Sequence, residues 1–125
     1  MIVGIGTDLA EVRRIRRAID QHGERFLRRL FTAGEIQYAG TAGNAAERFA
    51  ARFAAKEAAM KAIGTGWGEG VTWLDFEVSN QPSGKPDLAL SGTARVLADS
   101  MAVRRVWLSL THTAHLAYAV VVLEG

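Results

Sequence analysis

The stretch Arg48-Phe-Ala-Ala-Arg-Phe-Ala-Ala-Lys-Glu-Ala-Ala-Met-Lys-Ala-Ile-Gly-Thr-Gly66 is the longest helical pattern in the chain, and it carries charges where a core helix should carry none. Asn44 followed three residues later by Glu47 has the spacing of a capping box, and Gly64-Thr65-Gly66 supplies a stop, so a helix over Ala45–Ile63 is expected. That is about five turns, on the order of 30 Å. At about 100° per residue, Phe49, Phe53, Met60 and Ile63 share one stripe, and Ala50, Ala51, Ala54, Ala55, Ala58 and Ala59 fill the opposite surface. Both surfaces suit close packing. Glu57 and Lys61, one turn apart, lie on one edge of the aromatic stripe; Arg48 and Arg52 lie on the other, and Lys56 points almost into it. On an ordinary helix these would be stabilising pairs and snorkelling stems. On this alanine background they are partly desolvated, which is costly unless a metal or an anionic ligand completes them. The pattern therefore points to a phosphate-rich ligand and a divalent cation.

A chain of 125 residues with 49% hydrophobic residues is one domain's worth, residues 1–125. No run approaches the ~18 apolar residues of a membrane span, and the opening residues lack the build of a secretory leader, so a soluble, cytoplasmic protein without membrane association is expected. With no cysteine, disulfides, thiolate metal sites and cysteine nucleophiles are excluded. Any metal is left to oxygen or imidazole, and magnesium is favoured over zinc if Asp and Glu are the ligands. The net charge of +2 is unevenly spread: Arg13, Arg14, Arg16, Arg17, Arg25, Arg28 and Arg29 crowd a segment whose only acids are Glu11, Asp20 and Glu24. Such a patch attracts an acidic partner, or it is a solvated face in a chain that uses Arg rather than Lys.

In chain order, Met1 to Asp8 reads as a strand with Gly4, Gly6 and Asp8 on one face, the glycines leaving room beside that carboxylate. Leu9 to about Asp20 and Glu24 to Leu30 read as helices. Thr32 and Glu35 form a second capping box, opening a helix that Tyr38 closes, before a small-residue loop over 39–43. Val71 to Val78 alternates as a strand, and a turn over 79–84 leads into a second strand, Pro86 to Leu90. Ser91 caps a further helix. Val106–His112 and Leu116–Leu123 form a closing hairpin expected to be buried on both faces, with His112 at its turn end. The fold class is α+β: a mainly antiparallel sheet against one long helix and several shorter ones.

Arg52 to Gly66 resembles the R-F-A-x-K-E-A-x-x-K-A-x-G-T-G signature of the holo-acyl-carrier-protein synthase family, the short phosphopantetheinyl transferases. Ile2-Val-Gly-Ile-Gly-Thr-Asp8 with the following Glu11 and Arg14 resembles its opening motif. Phe31-Thr-Ala-Gly-Glu35, Gly84-Lys85-Pro86 and Ser109-Leu-Thr-His112-Thr resemble further family features, in family order. One departure is the 39–43 loop, which lacks the cations that relatives carry there.

The resemblance implies magnesium-dependent transfer of the phosphopantetheine arm of coenzyme A to a serine of apo acyl carrier protein. Adenosine 3′,5′-bisphosphate leaves, and the reaction serves fatty acid biosynthesis. It implies Asp8 and Glu57 as metal ligands, with Lys61 and Glu57 catalytic. Arg52, Gly64, Thr65, Gly66, Lys85 and His112 are coenzyme contacts. The base that takes the serine proton is left open between Glu57, Glu35 and a metal-bound water. Arg14, Arg17, Arg25 and Arg28 would meet the acidic carrier protein, and a homotrimer would place each site between two subunits. Two other classes compete: a nucleic-acid module, weakened because Trp67, Trp73 and Trp107 lie outside the basic segment, and a magnesium-dependent phosphatase.

Overall fold

The computed structural model describes residues 1–66 and 68–125. In chain order it contains β1 (Ile2–Glu11), α1 (Val12–His22), α2 (Glu24–Leu30), α3 (Ala33–Gly40) and α4 (Ala45–Ile63). A single 3₁₀ turn, Trp73–Asp75, then leads into β2 (Phe76–Asn80), β3 (Pro86–Leu90), α5 (Gly92–Ser100), β4 (Arg105–His112) and β5 (Leu116–Glu124). The strands form two antiparallel sheets, a three-stranded one ordered β1-β5-β4 and a two-stranded hairpin β2-β3. The α+β class and the long helix stand as expected from the sequence.

The position of α4 follows from small residues on both sides of one contact. A Cβ on Gly6 would run into the carbonyl of Ala58, and one on Gly4 into that of Ala62, so the helix backbone rests directly on β1. Ala117 and Ala119 of β5, both fully buried, extend the same shallow bed. The glycines of the first strand thus admit a helix backbone instead of leaving open room. Around α4 the core is continuous: Ala54, Ala58, Met60, Val121 and Leu123 on the sheet side, and Val12, Leu30, Phe31 and Phe49 towards α1–α3.

Several local expectations shift, each for a physical reason. β1 runs three residues past Asp8, because pairing with β5 continues to Glu11 opposite Leu116; Leu9 is therefore an outward strand residue instead of the first turn of α1. α3 continues past Tyr38 to Gly40. Its own capping box is present as predicted. Asn44, however, makes no cap bond, because its Oδ1 accepts from Arg48 Nε and Glu47 turns to His112. Only Phe76–Asn80 of the expected Val71–Val78 strand pairs with β3. Ser91 sits before α5 without capping it; the Asp75 carboxylate accepts from Ala94 N instead. Finally, β5 is buried on one face alone. The other, carrying Ile5, Leu9, Trp107, Leu116 and Tyr118 across the three strands, is exposed.

Candidate active site

Everything predicted to do chemistry is distributed about α4, whose two edges differ in charge: one carries Glu57 with Lys61, the other Arg48 with Arg52. On the β1 side, Asp8 stands on the sheet face that meets the helix, and Lys61 donates to Asp8 Oδ1 at 3.1 Å and to the Thr7 carbonyl at 3.0 Å. Glu57 lies one turn earlier on α4. Together with Asp8 and Arg14 it lines a pocket of about 310 Å³. Burial raises the Glu57 pKa above the usual glutamate value, the Asp8 charge raises it further, and Lys61 opposes both. Two carboxylates that feel each other across one pocket are oxygen donors of the kind that could hold magnesium when water and phosphate supply the remaining ligands. Among the described residues no group of three or more His, Asp or Glu side chains is placed to hold a metal ion.

On the other edge of α4, Arg48 and Arg52 stack on one aromatic ring, their guanidinium carbons 4.9 and 4.6 Å from the centre of Tyr38. Arg52 Nη2 donates to Asn80 Oδ1 at 2.7 Å. Its side chain is 4% exposed, and its Nε meets no acceptor among the described residues. Burial lowers the Arg52 pKa, with Arg48 adding to that and Glu35 and Tyr38 opposing. These residues line a pocket of about 410 Å³ that also takes in Gly84, Pro86 and His112. The His112 Nδ1 lies 3.0 Å from Glu47 Oε1. Two arginines side by side, neither in a salt bridge with a carboxylate among the described residues and one of them buried with a donor unused, make a site that an anion would complete.

Between the two edges Lys56 is wholly buried, with all three donors engaged: Glu35 Oε1 at 2.6 Å, Leu30 O at 2.8 Å and Trp73 O at 3.1 Å. Glu35 also accepts from Thr32 N at 2.9 Å and from Val78 N at 2.8 Å. Burial lowers the Lys56 pKa, and the contact with Glu35 opposes it. This corrects the reading of Glu35 as a possible general base. Its oxygens are spent inside the protein, out of reach of any substrate.

The structure therefore brings Asp8, Glu57, Lys61 and Arg14 together, and separately Arg52 and His112. Gly64, Thr65 and Gly66 follow the end of α4, where Gly64 adopts φ 95° as the helix stop and Thr65 donates to Gly66 O; they line neither pocket. Lys85 lies in the β2-β3 turn with its ammonium 5.4 Å from the Trp107 ring, beside the pocket its neighbours Gly84 and Pro86 line. Arg17, Arg25 and Arg28 are exposed on α1 and α2, Arg28 paired with Glu24. Trp67 lies outside the described residues. Sequence reasoning missed Tyr38, Asn44 and Asn80 as pocket walls, because nothing in a tyrosine or a turn asparagine signals that a distant arginine will lean on it. Lys56 did leave a trace, a cation almost inside an apolar stripe, but the sequence pattern pointed it to a ligand, whereas the structure satisfies it internally with Glu35 and two backbone carbonyls.

Residues 4–119 match the family model described as the 4′-phosphopantetheinyl transferase superfamily. The holo-[acyl-carrier-protein] synthase of Solibacter usitatus is 56% identical over 125 residues, covering all of both chains. Among solved structures, the holo-[acyl-carrier-protein] synthase of Neisseria meningitidis superposes with a TM-score of 0.89 at 35% identity, covering all of both chains. That of Bacillus anthracis, in complex with CoA (3′,5′-ADP), does so with a TM-score of 0.83 at 42% identity, covering 100% of this chain and 98% of the other.

Proposed function

The chain belongs to the holo-acyl-carrier-protein synthase family within the 4′-phosphopantetheinyl transferase superfamily, and on that premise we propose how its two charged edges divide the work. The reaction moves the phosphopantetheine group of coenzyme A to a serine of apo acyl carrier protein. The serine oxygen bonds to the phosphorus that bears pantetheine, the pyrophosphate P–O bond breaks, the hydroxyl proton departs, and adenosine 3′,5′-bisphosphate leaves. The obstacle is electrostatic, since an oxygen nucleophile must approach a pyrophosphate that already carries negative charge. The observation that carries the reading is the convergence of Asp8 and Glu57 on one pocket with Lys61 against Asp8. Asp8 and Glu57 would hold magnesium, which when bound supplies charge neutralisation at the pyrophosphate oxygens. Lys61, on a flexible stem and largely exposed, offers a point charge to the leaving group. Arg48, Arg52 and His112 receive the nucleotide end, where the unused donor of Arg52 suits a phosphate oxygen.

Because α4 stands between the two pockets, one coenzyme A bound along one chain would have to cross the helix to use both. Assembly of copies resolves this. The exposed apolar face of β1-β5-β4 is a surface that a soluble protein covers with another subunit, and we take the assembly to be a trimer whose sites pair the acids of one copy with the arginines of the next. Arg14 stands at the wall of the acidic pocket, so an acidic carrier protein held by Arg14 and the neighbouring Arg17, Arg25 and Arg28 would present its serine there. The enzyme would then work in the cytoplasm, supplying active carrier protein to fatty acid synthesis.

The test is direct. Incubation of the pure protein with coenzyme A, magnesium and apo acyl carrier protein should add one phosphopantetheine mass to the carrier in mass spectrometry. Magnesium chelation should abolish the gain. Hydrolysis of coenzyme A with no change in the carrier would instead favour a phosphatase.

A further inference from the structure

The buried pair Lys56–Glu35 touches neither pocket, yet its bonds reach three of the elements that build the arginine pocket: α3, α4 and β2. Lys56 sits one turn after Arg52 on α4, so the two side chains leave the same face of the helix. Glu35 sits one turn before Tyr38 on α3, the ring on which Arg52 and Arg48 stack. Glu35 Oε2 accepts from Val78 N, two residues along β2 from Asn80, the acceptor of Arg52 Nη2. Arg52, Tyr38 and Asn80 thus come from three elements, each clamped to the same ion pair within one helical turn or one strand pleat.

We propose that Lys56 and Glu35 are positioning residues for coenzyme A binding, a buried brace that sets the spacing of Arg52, Tyr38 and Asn80. Simple stability would not require this arrangement, since a buried ion pair is often no more stabilising than an apolar pair of the same volume. What an apolar pair cannot do is fix orientation. Lys56 carries three directional donors and Glu35 three directional acceptor contacts, joining the end of α2, α3, α4, the 3₁₀ turn and β2 in one arrangement. The acidic pocket lies on the opposite edge of α4, and among the described residues none of its lining side chains bonds to the brace. Loss of the brace should therefore loosen one pocket and leave the other intact.

The inference rests on the proposed transfer reaction, and wild-type activity separates the two: without phosphopantetheine transfer by the unmodified protein, the functional reading itself fails. Given transfer, Glu35→Gln and Lys56→Met are compared with wild type by steady-state kinetics and by calorimetric titration with adenosine 3′,5′-bisphosphate. The expected result is a roughly tenfold or larger rise in the KM for coenzyme A and in the bisphosphate Kd, with the KM for carrier protein within about twofold of wild type. Should a single variant fail to fold, the double exchange Glu35→Leu with Lys56→Met removes both buried charges together and should give the same split. A folded variant with an unchanged coenzyme A KM overturns the proposal. So does one in which both KM values rise together, the mark of general loosening.

Discussion

Two lysine–carboxylate pairs hang from α4 five residues apart, and they differ in everything but composition. In Lys56–Glu35 both side chains are 0% exposed and every donor and acceptor has a partner within the protein. In Lys61–Asp8 the lysine is 57% exposed and the aspartate 14%, Asp8 faces a pocket, and the lysine engages its Oδ1 alone. The closed pair has no capacity left for a ligand. The open one has a mobile cation, free lone pairs and a second carboxylate, Glu57, near enough to be repelled by Asp8. Chemistry requires unspent capacity, and the comparison locates it on the β1 edge of the helix.

The largest effect expected from this contrast is on turnover. Glu57→Ala or Asp8→Ala should lower kcat/KM by about 10³-fold or more, because each removes half of the carboxylate set where charge develops. The melting temperature should stay within a few degrees of wild type, since the pocket is open to solvent. A drop of tenfold or less in steady-state assays would place the working carboxylates elsewhere.

Next in size is the contact that creates the open pair. Gly6→Ala would drive a methyl into the Ala58 carbonyl, and backbone cannot move aside cheaply. Unfolding in urea should reveal a loss of about 3 kcal/mol, at the upper end of overpacking costs. A variant as stable as wild type would mean that α4 does not rest on β1 as described.

The smallest effect is a pH dependence with a definite sign. Glu57 has a raised pKa in the folded protein, so the native state binds more protons than the unfolded state above the ordinary glutamate range, and stability falls as pH rises through that window. In metal-free protein Glu57→Gln lacks this penalty. It should be the more stable of the two at pH 8, with the difference closing as pH falls through about 4, below which glutamate becomes protonated in both states. Parallel curves would show that Glu57 is not desolvated.

Much of the fold was legible because it rests on local pattern. The periodicity and glycine stop of α4, the strand pairings of the closing hairpin and the capping box at Thr32 follow from local pattern and capping chemistry. The edges of α4 were legible too, since helical spacing alone separates Glu57 and Lys61 from Arg48 and Arg52. What the sequence could not carry was tertiary competition for side chains. Asn44 and Glu47 have a capping-box spacing, but Arg48 and His112 claim them. Glu35 reads as a capping residue and is one, yet its other role depends on a lysine 21 positions away. The outer sheet face reads as core because its residues are apolar, and only the register puts them outside.

The division of the site by α4 is tested most directly by mixing two inactive variants. Asp8→Ala and Arg52→Ala, each crippled alone, are co-expressed so that copies of both assemble together, and phosphopantetheine transfer is measured on the purified mixture. If each site takes its acids from one copy and its arginines from the next, random assembly restores about a quarter of wild-type activity, because one neighbour arrangement in four leaves both halves intact. Activity no higher than that of the separate variants would contradict the account, and would return the whole site to a single chain.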